Sequence, residues 1–519
     1  MRPETLNPDT NRLQSMTLRK TGRAVARRMS TGGWSARRAA ALLILPGLLC
    51  LLEPAGASAQ ERTLRATGRQ ALGGLAPAEA RAIAVGNARV DIGKQAAAAL
   101  SEMGQVKALK ASPEAVVAVA RGVIPVTVQD GASDAGGVSV TAQAAYDPAV
   151  LEQVARKMLV DEETMQRLLE ASRSMQSAAS AAPSAQSARL LSAQHEYLNG
   201  LAQWLTGGTQ GLTPATEAFT RALTVAPEFA PAWSARGAVR VALSQFDPAM
   251  EDLNKGVALD PKSDDALRAR AGGYMAGLRY AQAETDLNLA VQLDPKDAAS
   301  RNSRGELQAL LKRNERALQD LDDALKLAPN YAIAHYNRGA VLGSQQRMES
   351  ALREYDLALR LDPTLTLALN NRGNLLARMQ QYDKALKDLD EAIRLDAEFA
   401  AAFNNRGEIY RAMGKTERAI QDFDEAIKHR PTYANAYINR AAALQQEGKV
   451  DLAFKDLEFA SKLVPANANI YASRGSAYAR LSLPAKACQD WKKACDLGDQ
   501  GVCEFLKKPD VCEAELPEN

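Results

Sequence analysis

Between residues 196 and 501 the apolar positions return every 34 residues without an insertion or deletion. Alanine occupies positions 215, 249, 283, 317, 351, 385, 419, 453 and 487. Counted in that register, the eighth position is small (Gly237, Ala271, Gly305, Gly339, Gly373, Gly407, Ala441, Gly475) and so is the twenty-seventh (Ala222, Gly256, Ala290, Ala324, Ala358, Ala392, Ala426, Ala460, Ala494). Large residues fill other slots, such as Trp233, Tyr437 and Tyr471 at the fourth position and Tyr355, Phe423 and Trp491 at the twenty-fourth. Proline recurs at 227, 261, 295, 329, 363, 431 and 465, with Ala397 and Asp499 as replacements, and ends a helix because it cannot continue one. Each unit therefore reads as two helices whose small residues allow close approach. One such pair cannot bury its own apolar face, so neighbours must stack.

Ahead of the repeats the periodicity changes. Residues 60–120 carry helical spacing, clearest over 77–103, and 122–129 and 137–145 alternate apolar with polar, which predicts a β-hairpin with Pro125 on an edge strand. A charged helix is expected over 148–175. Residues 60–175 thus read as a small α/β module. The Ala/Ser-rich stretch that follows reads as a linker over 176–195, leading into nine repeats over 196–501 and a capping helix and tail over 502–519. Residues 1–59 read as an export signal. They hold a basic region (Arg19, Lys20, Arg23, Arg27, Arg28), an apolar run over 39–52 and a small-x-small site at Ala57-Ser58-Ala59. The apolar run is short for a membrane span, which needs roughly 20 residues, and Pro46 and Gly47 interrupt it. An uncleaved anchor is the alternative.

The chain has 519 residues, 46% of them hydrophobic and 5% aromatic, which suits helical repeats built on Ala and Leu. Its 64 basic and 61 acidic residues nearly balance, so it lacks the electrostatic footprint of a nucleic-acid binder. Export would place the mature chain in an oxidising compartment, the expected site being the periplasm of a bacterial envelope. Its remaining cysteines, Cys488, Cys495, Cys503 and Cys512, then read as two disulfides, with three pairings open. Spacings of 7, 8 and 9 residues lack any C-x₂-C pair, which argues against zinc.

Candidate chemistry is sparse. The three histidines, His195, His335 and His429, have no metal-ligand spacing and read as surface or groove residues. Gly414-Lys415-Thr416 looks like the end of a phosphate loop, but Ile409 stands where the required first glycine belongs. No cofactor, metal site or catalytic group is expected. One charge pattern does stand out. Position seven is Arg in eight units (Arg236, Arg270, Arg304, Arg338, Arg372, Arg406, Arg440, Arg474), and position twenty-three is acidic in the same eight (Asp252, Asp286, Asp320, Glu354, Asp388, Asp422, Asp456, Asp490). The first unit lacks both, with Ala202 and Ala218. Shared presence and absence predict a structural Arg–carboxylate pair inside each hairpin.

These positions resemble those that define tetratricopeptide repeats, over 306 residues. The resemblance implies a mainly all-α, right-handed solenoid of about nine helix pairs, although the family's usual Leu at position seven is here Arg. Position six is Asn in four consecutive units, Asn337, Asn371, Asn405 and Asn439. In some tetratricopeptide proteins an Asn ladder there holds the backbone of an extended peptide, and the resemblance implies that role. It also places Tyr336, Asn370, Asn374, Arg378, Asn404, Glu408, Arg411, Asn435 and Gln446 on the groove. These residues are mixed in charge and lack the Lys/Arg/Asn cluster of a clamp for C-terminal carboxylates. The segment from Lys493 to Cys503 resembles the C-x₇-C segment of Sel1-like repeats, which implies Cys495–Cys503 and leaves Cys488 for Cys512. The expected function is an exported, non-catalytic scaffold that holds an extended peptide or protein partner in its groove, with oligomeric state left open. The alternative is an envelope assembly factor whose N-terminal module recognises the partner while the repeats act as a spacer.

Overall fold

The computed structural model describes residues 62–508 and Cys512, apart from 110, 125, 135–136, 147, 181–182 and 207. The expected export signal lies outside the described residues. Those up to Ala368 form one compact unit and those from Leu369 onward another.

The first unit opens with a three-stranded antiparallel sheet. Strand β1 (Arg62–Ala71) and strand β2 (Thr127–Asp134) both pair with β3 (Gly137–Tyr146), in the order β1-β3-β2. Val138, Val140, Ala142, Ala144 and Tyr146 are buried at alternate positions of β3, as a half-covered sheet requires. Helix α1 (Pro77–Ser101) packs on β1 and β3. A Cβ on Gly68 of β1 would lie 1.8 Å from the carbonyl oxygen of Ala84, so only glycine permits that approach. Helices α2 (Gly104–Ala108), α3 (Pro113–Val123), α4 (Pro148–Leu159) and α5 (Glu162–Ser180) complete the module.

Four expectations change here. Residues 62–71, expected to be helical, form strand β1 instead, and Thr63, Thr67 and Gly68 blur the alternation that would have shown it. The first hairpin strand starts at Thr127 and not at 122, because helix α3 runs on to Val123. The single helix over 148–175 is two, with an elbow at Val160 and Asp161. Most of the 176–195 linker is helix: α5 runs to Ser180, and α6 (Ala185–Thr206) buries Leu191 and Leu198. Alanine has the highest helix propensity, and a Gly86 that leaves room for Leu191 lets α6 lie close on α1. One hydrophobic core runs from Ala80 of the module to Val239 of the repeats, so the module closes the end of the array and is not hung from it.

Nine helix pairs follow among the described residues. In the first unit they are α6 with α7 (Gly208–Val225), α8 (Ala230–Ala242) with α9 (Phe246–Leu259), α10 (Asp264–Ala276) with α11 (Tyr280–Leu293), α12 (Ala298–Leu310) with α13 (Asn314–Leu327), and α14 (Ala332–Ser344) with α15 (Met348–Leu361). Helix α16 (Thr366–Arg378) contains the division between the units, and α17 (Tyr382–Leu395) is its partner in sequence. The second unit continues with α18 (Ala400–Ala412) and α19 (Thr416–His429), α20 (Ala434–Gln446) and α21 (Val450–Leu463), and α22 (Ala468–Arg480) and α23 (Pro484–Asp496). This is the tetratricopeptide solenoid fold.

All nine of the periodic alanines, from Ala215 to Ala487, have no exposed surface. Gly407 and Gly475 explain the small eighth position: a Cβ there would meet the ring of Phe423 at 2.7 Å or of Trp491 at 2.5 Å. Within each unit the first (A) helices of consecutive repeats pack on one another: α8, α10, α12 and α14 in the first unit, α18, α20 and α22 in the second. They therefore line the inner face.

At the C-terminal end Cys488 bonds Cys512 and Cys495 bonds Cys503. Helix α24 (Gln500–Leu506) starts at Asp499, whose carboxylate accepts the Val502 N–H at 3.0 Å. The Phe505 ring packs edge-on against Trp491 at 5.0 Å, covering the last pair.

Candidate binding surface on the A helices

The repeated arginine is a strut and not part of the inner face. In seven repeats its Nε and Nη2 donate to both oxygens of one aspartate, as in Arg236–Asp252 at 2.8 and 2.8 Å, Arg372–Asp388 at 2.7 and 2.7 Å and Arg406–Asp422 at 2.9 and 2.7 Å. The hydrogen bonds it donates to Asp422 hold the Arg406 guanidinium well above its ordinary pKa. The eighth pair differs. Arg338 lies 3.5 Å from Glu354 and makes its closer contact, 3.0 Å, with Asp322. Glu354 is bonded instead to His335 Nδ1 at 2.8 Å. His335 is buried and also reaches the Pro329 carbonyl at 3.2 Å, so it is a packing residue and not a surface one.

His195 is likewise enclosed, 3.0 Å from Arg89 Nη1, and burial with the Arg89 and Arg81 charges pushes its pKa down to about 3. His429 stacks on Phe403 with centroids 5.7 Å apart.

Sequence spacing alone did not reveal where the arginine's outer nitrogen goes. Arg406 Nη1 donates to Asp390 at 2.7 Å, and Arg440 Nη1 to Asp424 at 2.6 Å. Both acceptors sit sixteen residues back, in the preceding repeat. The fourth position adds a second tie across repeats. Trp233, Tyr437 and Tyr471 donate to the carbonyls of Pro227, Pro431 and Pro465 at 2.8, 3.0 and 2.9 Å. The readable signal was an N–H or O–H side chain six residues after a proline.

The Asn residues join repeats in the same way. Asn337 Nδ2 donates to Asn302 Oδ1 at 3.0 Å, Asn405 to Asn370 at 2.9 Å and Asn439 to Asn404 at 2.9 Å. Each bond runs from position six to position five of the previous repeat, a partner the sequence reading missed for Asn302. Asn370 also donates to Asn371 at 3.1 Å, and Glu408 accepts from Asn404 at 2.9 Å and from Asn439. Asn370 and Asn404 are buried, Asn371, Asn374, Asn405, Glu408 and Arg411 half-buried, and Arg378, Asn435 and Gln446 exposed. A carboxamide has two N–H groups and two lone pairs, so one bond to a neighbour uses only part of its capacity.

In the first unit the inner face holds an open cleft of about 140 Å³. Its floor is Ala309, Leu310, Ile333, Tyr336, Val341 and Leu367, and Glu306, Asn314, Asn337 and Ser344 supply the polar wall. Tyr336 and Asn337 of the expected groove therefore meet here. Asn370, Asn404, Asn405, Asn439 and Glu408 meet in the second unit. Among the described residues no cluster of His, Cys, Asp and Glu is arranged to hold a metal, and no helix is long and apolar enough to cross a membrane.

Comparison with known proteins matches residues 267–332 and 313–365 to the tetratricopeptide repeat family, residues 373–414 to a TPR repeat and residues 400–433 to a tetratricopeptide repeat. No protein of curated function matches. Among solved structures, a tetratricopeptide repeat protein from Parabacteroides merdae ATCC 43184 is 24% identical, covering 47% of this chain and 98% of its own at a TM-score of 0.40. YrrB, described as a TPR protein with an unusual peptide-binding site, is 24% identical over 36% of this chain and 97% of its own, TM-score 0.29. PilW, a type IV pilus biogenesis factor, is 23% identical over 40% of this chain and 96% of its own, TM-score 0.37. Residues 267–365 and 373–433 are thus tetratricopeptide repeats.

Proposed function

We propose that this chain is an exported, non-catalytic scaffold that holds an extended peptide or protein segment along the inner face of its A helices. The observation that carries the reading is the cleft of the first unit. An apolar floor of Leu310, Ile333 and Tyr336 beside a carboxamide at Asn337 suits one anchoring side chain and the backbone next to it. The row of Asn370, Asn404, Asn405 and Asn439 offers the second unit a side-chain-independent grip of the same kind. Export is supported by the basic and apolar segments of residues 1–59 and by two disulfides in 24 residues of separation or less. The core shared by module and repeats speaks against a separately recognising module on a passive spacer.

The test is site-specific photocrosslinking in intact cells. A photoreactive residue at Tyr336 or Asn374 is expected to give a discrete protein adduct, whereas one at exposed Lys387 on α17 gives none. Equal adducts from all three positions, or adducts only from residues 62–180, would sink the proposal. Cell fractionation of the same samples tests export.

A further inference from the structure

The elbow between α4 and α5 lies on the inner face of the first unit. The Val160 carbonyl accepts the N–H of Ala332, the first residue of α14, at 3.1 Å. That N–H has no partner within its own helix, so the elbow acts as its cap. Arg167 Nε donates to Asp265 of α10 at 2.9 Å, and its Nη2 lies 2.8 Å from Glu163. Arg268 of α10 bonds Asp265 at 2.6 Å and Asp297, just before α12, at 2.8 Å, with Glu163 4.0 Å away. Only 2% of the Arg268 side chain and 5% of the Arg167 side chain is exposed, so this contact is fully formed. Ala332 and Asp265 are the first and second residues of their A-helix units, and Arg268 is the fifth. Ile333 and Tyr336 hold the second and fifth places in Ala332's own repeat, and they line the open cleft.

We propose that the Val160–Glu163 elbow is a built-in occupant of this inner face, which competes with the partner segment for α10, α12 and α14. The inference rests on reading that face as the binding surface. The elbow makes the contacts that an extended ligand would make, a backbone carbonyl to a helix N-terminus and charged side chains to the groove. The open cleft starts one residue beyond it, at Ile333.

The contact is charge-mismatched, which makes it displaceable. Asp161, Glu162 and Glu163 come from the elbow, Glu170 from the next turns of α5, where burial and the Asp265 and Asp264 charges push it up to about 7, and Asp264, Asp265 and Asp297 from the repeats, against Arg167 and Arg268. Asp161 faces Glu163, Thr164 and Arg167 on its own helix and Tyr331 from the repeats. Burial and the Glu163 charge raise its pKa to about 7. Burial, with Asp297 and Asp265 nearby, raises Asp264 to about 6 even though Arg268 opposes the shift. A carboxyl raised in the docked state holds a proton that the released state gives up. Docking is therefore strongest in acid and weakens as pH rises from about 4 through 7, by about tenfold per unit for Asp161 alone.

Hydrogen exchange on the full chain tests this, with rates corrected for the intrinsic effect of pH. Amides 161–166 and Ala332 should lose protection together, about 100-fold between pH 5 and 7, while α1 and α3 keep theirs. Asp161→Asn should flatten the pH dependence and hold the elbow in place. Arg167→Ala should open it and raise the adduct yield at Tyr336. If the elbow opens only together with α1 and α3, or without regard to pH, it is ordinary core and the proposal is overturned. The expected exchange with unchanged Tyr336 adducts in Arg167→Ala overturns the competition. The expected exchange with no Tyr336 adduct in any form defeats the binding surface itself and leaves the displaceable elbow standing.

Discussion

The same positions of the A helices are used differently in the two units. At position five the first unit carries Arg268, Asn302 and Tyr336, and the second Asn370 and Asn404. Around Arg268 the face is covered by the chain's own elbow and built from ionised groups with 2% exposure. Around Asn404 it is built from neutral carboxamides bonded to each other and to Glu408. The lesson is that a repeat scaffold of constant geometry can carry either a buried ionic joint or a polar row that retains bonding capacity. The choice rests on one residue per repeat. Removing that residue should cost very different amounts in the two places.

The largest effect is expected at Arg268. Arg268→Ala leaves buried Asp297 without its cation and Asp265 with Arg167 alone, and should cost about 3–5 kcal/mol, read as a shift in urea midpoint of the full chain. Asn404→Ala removes no charge of its own, only its carboxamide bonds to Glu408 and Asn439, and should cost about 1–2 kcal/mol. Equal losses would erase the distinction between the two faces.

Next comes the end of the second unit, where among the described residues α24 and two disulfides cover the last pair. Replacing Cys488 and Cys512 together by serine should cost about 2–4 kcal/mol, with exchange protection falling in α22 and α23 first. The first unit has no such dependence, so a melt of residues in α1 should not move.

Much of this was readable beforehand. The 34-residue register fixed the helix pairs because every unit repeats the same burial, and all nine alanines of that register are enclosed. The Arg–Asp struts were readable because both partners vary together. The one misfit, Arg338, arises where the acid is a longer Glu and His335 competes for it. What escaped the pattern is non-repeating. Strand β1 pairs with residues more than 60 positions away, and its alternation is diluted by Thr67 and Gly68. The elbow's contact joins Val160 to Ala332, and no local spacing encodes a meeting between a module and a groove. The Asn ladder was visible as a row, but its partners at position five were not, because Arg268 and Tyr336 interrupt them.

The smallest effect concerns the turn between the two helices of a repeat, where the units again differ. Position fifteen adopts a left-handed backbone in the eight repeats from residue 230 onward, whereas Gln210 of the first pair is helical. In the first unit it is filled by Ser244, Leu278, Lys312 and Gln346 at φ of 59 to 60°, whereas the second has Gly414 and Gly448 at 73 and 74° alongside Gln380 and Ser482. A residue with a Cβ pays about 1 kcal/mol or more in that region and glycine does not, although glycine also loosens the unfolded chain. Gln346→Gly should therefore stabilise the first unit by about 0.5–1 kcal/mol, and Gly414→Ala should destabilise the second by about 1 kcal/mol. Thermal melts of the two single variants decide the matter. Opposite signs mean the turn conformation is imposed by helix packing in both units, and a destabilised Gln346→Gly means the side chain at that turn contributes a contact that outweighs its strain.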